Sequence, residues 1–415
     1  MSHSARFVNS AFATRSQFGF PSRTGFLVVG GGIGGLTTAL ALARAGQRVH
    51  VLEAAPEFGE IGAGIQLAPN AVRMLGRLGA LPAIAKCCVF PRSLVFMDAL
   101  SGTSVASVDL GQPFLERFDA PYVVLHRSDL HALLLDACLR DDRITLETDR
   151  QVTAVHERDD GALVRCANGA QYACDALVGA DGLKSVVRRL ISDDEPVASG
   201  YVAYRGTISI DDAQLHEHRD SMVYWWGPGL HLVQYAVRGG RLYNQVGVFR
   251  CDTAGSDGSD FGRELDATFD RCCEPVRRGA ALLDRGMRWP MLDRDPIDNW
   301  TRNRITLLGD AAHPMLQYIA QGGCQAIEDA LCLADMVASH DDVAAAFLAY
   351  QAERIPRTGR VQLSARAFGE LGHLDGIGVA LRNQVLSQHS PTDYQPLDWL
   401  YNAGSRPVVA SAGQV

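Results

Sequence analysis

Nothing in this chain reads as a zinc ribbon or a thioredoxin-type dithiol. Ten cysteines are present, yet no two stand in a CxxC pair, the spacing such sites need. The adjacent pairs Cys87-Cys88 and Cys272-Cys273 do not supply it. Scattered cysteines without a framework fit a reducing cytosol, so a cytoplasmic protein with the thiols as buried core fillers is expected. No metal site is expected. Long apolar runs are missing too: none approaches the ~20 residues of a membrane span. There is no basic excess. The net charge of −8 favours solubility and argues against a nucleic-acid surface, which needs a basic patch. Acidic residues are absent from positions 1 to 24, which are rich in Arg and Ser. Transit peptides share that composition. The segment lacks a sustained amphipathic period, so a disordered tail or start-site artefact is expected.

What remains is ordinary globular material, 47% apolar and 21% charged over 415 residues. That length suggests two or three domains, or one large α/β body with a second layer. No internal repeat is present.

The most informative stretch is "GFLVVGGGIGGLTTALALARAGQRVHVLEAA", Gly25 to Ala55. Phe26 to Val29 is a short apolar run suited to a buried parallel strand. Leu36 to Ala45 has helical spacing, Gly46 is the expected C-cap, and Val49 to Leu52 is a second strand ending at Glu53. Gly30, Gly32 and Gly35 satisfy G-x-G-x-x-G in that context. Gly30 permits the tight turn, Gly32 lets backbone approach a pyrophosphate, and Gly35 lets helix pack on sheet. Ile33 and Gly34 complete the turn at the helix N-terminus, which faces the negative charge. Glu53 can accept hydrogen bonds from ribose hydroxyls. NAD and FAD both use this fingerprint.

Further on, a glycine-rich loop leads into a helix through Pro69-Asn70. A hairpin turns at Ser101-Gly102. "HRSDLHALLLDACLR" is a helix with Ser128 as N-cap. A β-meander turns at Asp160-Gly161 and Asn168-Gly169 and returns through Ala176 to Val178. Residues 199 to 250 alternate and are rich in aromatics, as for an antiparallel sheet forming a second layer. A strand then precedes "GDAAHP", Gln325 to Val337 is helical, and the chain from Asp342 is helical to about Phe368 and irregular afterwards. Asp181 and Asp310 each follow a buried strand, where open α/β sheets place ligands. The alternative for each is a turn former or helix cap.

Three segments in this order, the glycine turn, "CDALVGADGLKSVVRR" and "ITLLGDAAHP", resemble those of the para-hydroxybenzoate hydroxylase-like family of single-component flavoprotein monooxygenases. The resemblance runs from Gly25 to about Asp335. It implies a Rossmann-like α/β FAD-binding domain, a second β-sheet substrate domain and a helical C-terminal region. The implied division is 25–92, 118–198 and 285–345 for FAD, 93–117 and 199–284 for substrate, and 346–415 for the helical part. It also implies that Gly30, Gly32, Ile33, Gly34, Gly35 and Glu53 hold the ADP half of FAD. Arg127 would lie near ribityl and pyrophosphate. Asp181 belongs to a motif tied to FAD and nicotinamide nucleotide, and Asp310 would bond the ribityl hydroxyls.

Such enzymes use NADH or NADPH and O2 to transfer oxygen from a flavin hydroperoxide to a phenolic ring. The ring reacts faster as a phenolate, and a phenol pKa near 10, judged by tyrosine, calls for a base. His231 and Tyr235, four apart in a strand, point to one face. From the residues alone, a satisfied core histidine and a sheet-packing aromatic are the favoured readings. "GPGLHLVQY", "HPMLQY", "PYVVLHRSDLH" and the "GHLDG" to "DWLY" tail resemble the branch of the family that converts 3-hydroxybenzoate to gentisate. By that resemblance His231, Tyr235, Gln317 and Tyr122 act at a small aromatic acid, and the donor is NADH. Gln317 could instead only support its loop. The alternatives are a decarboxylating salicylate 1-hydroxylase and, from another class, an FAD-binding reductase without oxygen chemistry. A homodimer is usual among such enzymes. One departure stands out: relatives often read GQG before the helix, where this chain has Ala320-Gln321-Gly322-Gly323.

Overall fold

A short run of Phe26, Leu27, Val28 and Val29, every one buried, forms the centre of the first sheet, as expected of a strand covered on both faces. The computed structural model describes residues 23–59, 63–213, 218–251 and 261–402. In chain order, β1 (Arg23–Val29), α1 (Ile33–Arg44) and β2 (Val49–Leu52) make the expected unit, and β3 (Gly64–Leu67), α2 (Pro69–Arg77) and α3 (Leu81–Ile84) follow. Next come β4 (Ser93–Asp98), β5 (Ser104–Asp109), α4 (Gln112–Phe118), β6 (Val123–His126) and α5 (Arg127–Leu139). The meander is β7 (Ile144–Glu147), β8 (Val152–Arg158), β9 (Gly161–Cys166) and β10 (Gln171–Gly179). The aromatic region gives β11 (Val197–Ser209), β12 (Met222–Gly227), β13 (Leu230–Val237) and β14 (Leu242–Arg250). After α6 (Phe261–Phe269) and α7 (Glu274–Ala281) come β15 (Trp289–Asp293), β16 (Thr301–Arg302) and β17 (Ile305–Leu307). The chain ends in α8 (Gly322–Ser339), α9 (Val343–Gly372), α10 (Ile377–Leu386) and α11 (Asp398–Tyr401).

The first sheet runs β16-β17-β10-β1-β2-β7, with β8 and β9 attached through β10. β1 pairs in parallel with β2 and β10. Helix α1 packs against α8 and α5. Gly46 follows the C-cap Ala45 at φ 85°, where a glycine ends a helix at no steric cost.

The second sheet runs β15-β11-β14-β13-β12-β4-β5. It is antiparallel as expected, apart from the parallel pair β12–β4. All of β12 and β13 is buried, because each face meets a different core. Val223, Trp225, Leu230 and Leu232 point to a cluster shared with α6 and α7. Tyr224, Trp226, Val233 and Tyr235 point to the main core. This is the period-2 alternation of a strand, used here to divide two interiors.

Several expectations are corrected. Arg23 and Thr24 belong to β1 rather than to a tail, and residues 1–22 lie outside the described residues. The loop before Pro69 contains β3, which pairs with β6. Ser128 is not an N-cap: His126 holds that position, and Ser128 Oγ lies 2.7 Å from His126 Nδ1. β15 pairs with β11 although it falls inside the segment 285–345. Helix α9 runs on to Gly372, and α10 occupies a stretch expected to be irregular. None of the ten cysteines forms a disulfide, but Cys87, Cys273 and Cys332 are only half-buried. Among the described residues no helix is long and apolar enough to cross a membrane, and no group of three or more His, Cys, Asp or Glu could hold a metal ion.

Candidate active site

The glycine turn is built on backbone contact. Gly30 has φ 109°, and a Cβ there would lie 2.2 Å from the Ala180 carbonyl oxygen. A Cβ on Gly35 would lie 1.9 Å from the Gly30 oxygen, so Gly35 brings helix to turn as expected. Gly32 differs. As N-cap of α1 it has φ −76° and ψ −173°, angles open to any residue, so a need for glycine there is one of space and not of conformation. Glu53 Oε2 accepts from the Gly31 N–H at 2.7 Å, and Oε1 from the Ala55 N–H at 2.8 Å. A carboxylate has about four lone-pair sites, so Glu53 braces the turn and still has acceptors for a ribose.

Asp181 is partly a cap, the alternative weighed for it. Its carboxylate accepts from Ser185 Oγ at 2.5 Å and from the Val186 and Val187 N–H groups at 2.7 and 3.3 Å. Burial raises its pKa, against those hydrogen bonds. Asp310 lies in the 3-10 turn Gly309–Ala311. That turn is held from behind by Asp329, which accepts from the Gly309 N–H at 3.1 Å and lies 2.5 Å from His313 Nε2. Arg354 of α9 donates to Asp329 at 2.6 Å.

These groups line one end of a cavity of about 870 Å³, whose far end is lined by His231, Tyr235 and Gln317. Gly30, Gly32, Ile33, Gly34, Glu53, Arg127, Asp181 and Asp310 all face it. Gly35 does not line it and acts through packing. Tyr122 does not line it either: it is buried, and its hydroxyl donates to Gln66 Oε1 at 2.8 Å. The size is near the top of the ~300–1,000 Å³ range of small-molecule sites. A helix N-terminus and glycine backbone at one end suit phosphates, the carboxylates suit sugar hydroxyls, and the far end suits a ring. The residues therefore fit FAD with an aromatic ligand beside it.

At the far end, Gln317 opens the 3-10 turn Gln317–Ile319 instead of lying in an open loop. Its Oε1 accepts from Arg205 Nη2 at 3.2 Å, which leaves its NH2 group as the donor toward the cavity. Arg205 lies on β11 in the cavity wall, and its Nε has no hydrogen-bond partner. Burial lowers the Arg205 pKa, as does the charge of Arg127. His231 is buried, and its Nδ1 lies 2.7 Å from His373 Nε2. Burial, then His373, holds the His231 pKa well below its ordinary value. Tyr235 has its pKa raised by burial and by Tyr224, while Gln66 and Arg205 oppose the shift. A Cβ on Gly64 would lie 2.5 Å from the Tyr235 ring.

Gln66, Tyr224, Arg205 and His373 were not foreseen. Tyr224 and Tyr122 both donate to Gln66 Oε1, at 3.1 and 2.8 Å, so one amide on β3 ties the residue before β6 to β12. The departure at Ala320 has a physical form. Ala320 is held at φ 53°, the left-handed region that costs an L-residue about 1–2 kcal/mol. The neighbouring Gln321 is fully buried, and its Oε1 accepts from Asn70 and Gln325, each at 3.0 Å.

Comparison with known proteins agrees with this geometry. The family model described as "FAD binding domain" matches residues 23–363. A 3-hydroxybenzoate 6-hydroxylase of Klebsiella oxytoca is 40% identical over 381 residues, covering 90% of this chain and 96% of that protein. A 3-amino-4-hydroxybenzoate 2-monooxygenase of Streptomyces cremeus is 35% identical, covering 90% and 94%. The crystal structure of Klebsiella pneumoniae HpxO complexed with FAD and uric acid superposes with a TM-score of 0.79 at 29% identity, covering 88% of this chain and 93% of that one.

Proposed function

The chain belongs to the FAD binding domain family as a flavin-dependent aromatic hydroxylase, and from that premise we propose that it converts 3-hydroxybenzoate to gentisate with NADH and O2. The observation that carries the reading is the single cavity joining the glycine turn to His231, Tyr235 and Gln317. The first relative named above shares 40% of its residues and carries that substrate in its name.

FAD held by these residues would supply an electrophilic oxygen derived from O2, with the nicotinamide nucleotide as electron donor. The chain's residues prepare the ring to receive it. A phenol with pKa near 10 is almost wholly protonated at neutral pH. His231 is kept neutral by burial, and with Nδ1 engaged by His373 its Nε2 is the nitrogen left for the ring hydroxyl. Removing that proton pushes charge to the ortho and para carbons. The carbon para to the 3-hydroxyl is C6, which gives gentisate. Arg205 supplies a cation for the acid group, offsetting the burial that weakens it. Gln317 and Tyr235 hold the remaining oxygens, and Tyr122 acts through Gln66. Gly30, Gly32, Ile33, Gly34, Gly35 and Glu53 hold the ADP half, Arg127 lies near ribityl and pyrophosphate, Asp310 bonds the ribityl hydroxyls, and Asp181 serves FAD and the nicotinamide nucleotide.

We also read the two sheets as FAD and substrate units, with the last boundary after β15 and not at 285. A cytoplasmic homodimer completes the reading. The test is a panel of hydroxybenzoates assayed for NADH and NADPH oxidation, O2 uptake and product. Gentisate from 3-hydroxybenzoate without CO2 release is expected. CO2 from salicylate would replace this reading with the decarboxylating one. Absence of substrate-stimulated O2 uptake would leave only a reductase.

A further inference from the structure

His231 is not isolated behind the cavity. Its Nδ1 meets His373 Nε2 at 2.7 Å, the two rings lie end to end, 18° from coplanar with centroids 5.0 Å apart, and Tyr318 packs edge-on against both. His373 is the C-cap of α9, 142 residues away in sequence. Its ring stacks on Tyr201 at 4.6 Å, and it keeps 8% of its surface exposed against 4% for His231. The chain therefore places two imidazoles in series, one facing the cavity and one beyond it, buried but with the greater exposure of the two.

We propose that His373 is the residue through which His231 disposes of the substrate's proton, the two forming a relay from the ring hydroxyl to the surface. The inference rests on the reading of His231 as base. In the starting state both rings are neutral and carry hydrogen on Nδ1. The ring hydroxyl proton passes to His231 Nε2, and the electron pair of the O–H bond stays on the oxygen. The hydrogen on His231 Nδ1 passes to His373 Nε2. His231 ends neutral with its hydrogen on Nε2, and the positive charge rests on His373, which loses a proton to solvent from Nδ1. One proton leaves the ring and one reaches water.

The surroundings support passing the charge on and not storing it. The groups facing His373 are Tyr201 of β11, Tyr318, Arg250 of β14 and Arg382 of α10. Burial and the two arginines hold its pKa at about 4, so an imidazolium there is short-lived. A fixed countercharge would have trapped the proton, and among the described residues these neighbours include no carboxylate. The contact is also tight. A Cβ on Gly372 would lie 2.8 Å from Trp226 Nε1, and one on Gly369 2.4 Å from the Tyr318 ring, so two glycines in the last turn of α9 let its end reach the β13 side.

The test compares His373→Gln, His373→Phe and His231→Gln as holoenzymes. Glutamine can accept the Nδ1 hydrogen bond but cannot relay a proton; phenylalanine keeps only the stacking. With a relay, both His373 variants retain FAD, and at pH 7 hydroxylated product per NADH falls by about 10²-fold, the lower range of general-base loss. Product recovers toward pH 10, where the phenol ionises unaided. Native coupling and pH profile in His373→Gln would overturn the relay and leave His373 a tautomer support. A loss that stays constant with pH would also overturn it. Full coupling in His231→Gln would overturn the base reading itself, which separates the two failures. Should neither His373 variant hold flavin, single-turnover hydroxylation by the unmodified enzyme in H2O/D2O mixtures decides. A curved dependence on deuterium fraction marks two protons in flight, and a straight line overturns the relay.

Discussion

Replacing Gln317 by alanine separates a residue that holds substrate from one that shapes its turn. The turn does not depend on the side chain: it closes through the Ala320 N–H and the Gln317 carbonyl at 3.0 Å, a bond alanine keeps. What alanine removes is the acceptor for Arg205 Nη2 at 3.2 Å, together with the amide N–H facing the cavity. Arg205 Nε is already without a partner, so the guanidinium loses a further satisfied donor in a buried place. A hydrogen bond to a charged group contributes about 1.5–3 kcal/mol, or roughly tenfold to 150-fold in affinity. The expected result is a weaker apparent Kd for 3-hydroxybenzoate within that range. Hydrogen peroxide should rise at the expense of product, with FAD content and unfolding temperature unchanged. Flavin titration, substrate-perturbed flavin absorbance and product per NADH measure the three quantities. Native affinity and coupling with reduced flavin retention would show that Gln317 supports the loop, and the argument from Arg205 would be wrong.

Gly35→Ala should abolish FAD retention, because the added Cβ meets the Gly30 carbonyl oxygen at 1.9 Å and backbone must move; a yellow protein with native FAD stoichiometry refutes this. Arg354→Leu leaves Asp329 without its arginine and Glu328 with only Arg357, a buried imbalance of about 3–5 kcal/mol; the unfolding temperature and flavin retention should fall together, and an unchanged midpoint counts against the network. Acid should destabilise the protein in two windows. His373, held at about 4 by burial and two arginines, takes up its proton sooner when unfolded, so stability falls as pH drops from about 6.5 toward 4. Asp329, held at about 2 by His313 and Arg354 against burial, adds stability present above pH about 4 and lost below it. An unfolding midpoint flat from pH 7 to 4, followed by thermal melts, refutes the first window.

The βαβ unit was legible because its pattern is local: a Cβ on Gly35 would meet the nearby Gly30 oxygen, although Gly30 itself is required by the distant Ala180 carbonyl. The alternation in β12 and β13 was legible for the same reason, although which face met which core was not. The strand Gly64–Leu67 was hidden since its reason is distant: Gly64 leaves room for Tyr235, and Gly64 pairs with His126. Two glycines nearby read as a loop until that partner is known. Ser128 looked like an N-cap because serine prefers that place, but the helix starts two residues earlier in register, at Arg127 with His126 as the cap. The site divides similarly. His231, Tyr235 and Gln317 stood out through motif context, whereas Gln66 and Arg205 are polar residues in strands that would normally face solvent. Their meaning comes from partners 56 to 158 residues away.

Helix α9 explains why a C-terminal element without ligand-facing residues matters to the chemistry. Its middle supplies Arg354, which fixes Asp329 and through it the Gly309 N–H behind Asp310. Its end supplies His373, which meets His231. The Asp310 turn and the partner of His231 are thus set by one 30-residue helix. Proton removal and oxygen transfer must occur at atoms held within a few tenths of an ångström of their working places. Two separate loops would let those positions drift independently. A continuous helix ties them, at the cost of burying Arg354 among carboxylates, where a hydrophobic residue would often be at least as stable. That an ion cluster stands there is best understood through what it positions: it converts the register of α9 into the position of the Asp310 turn.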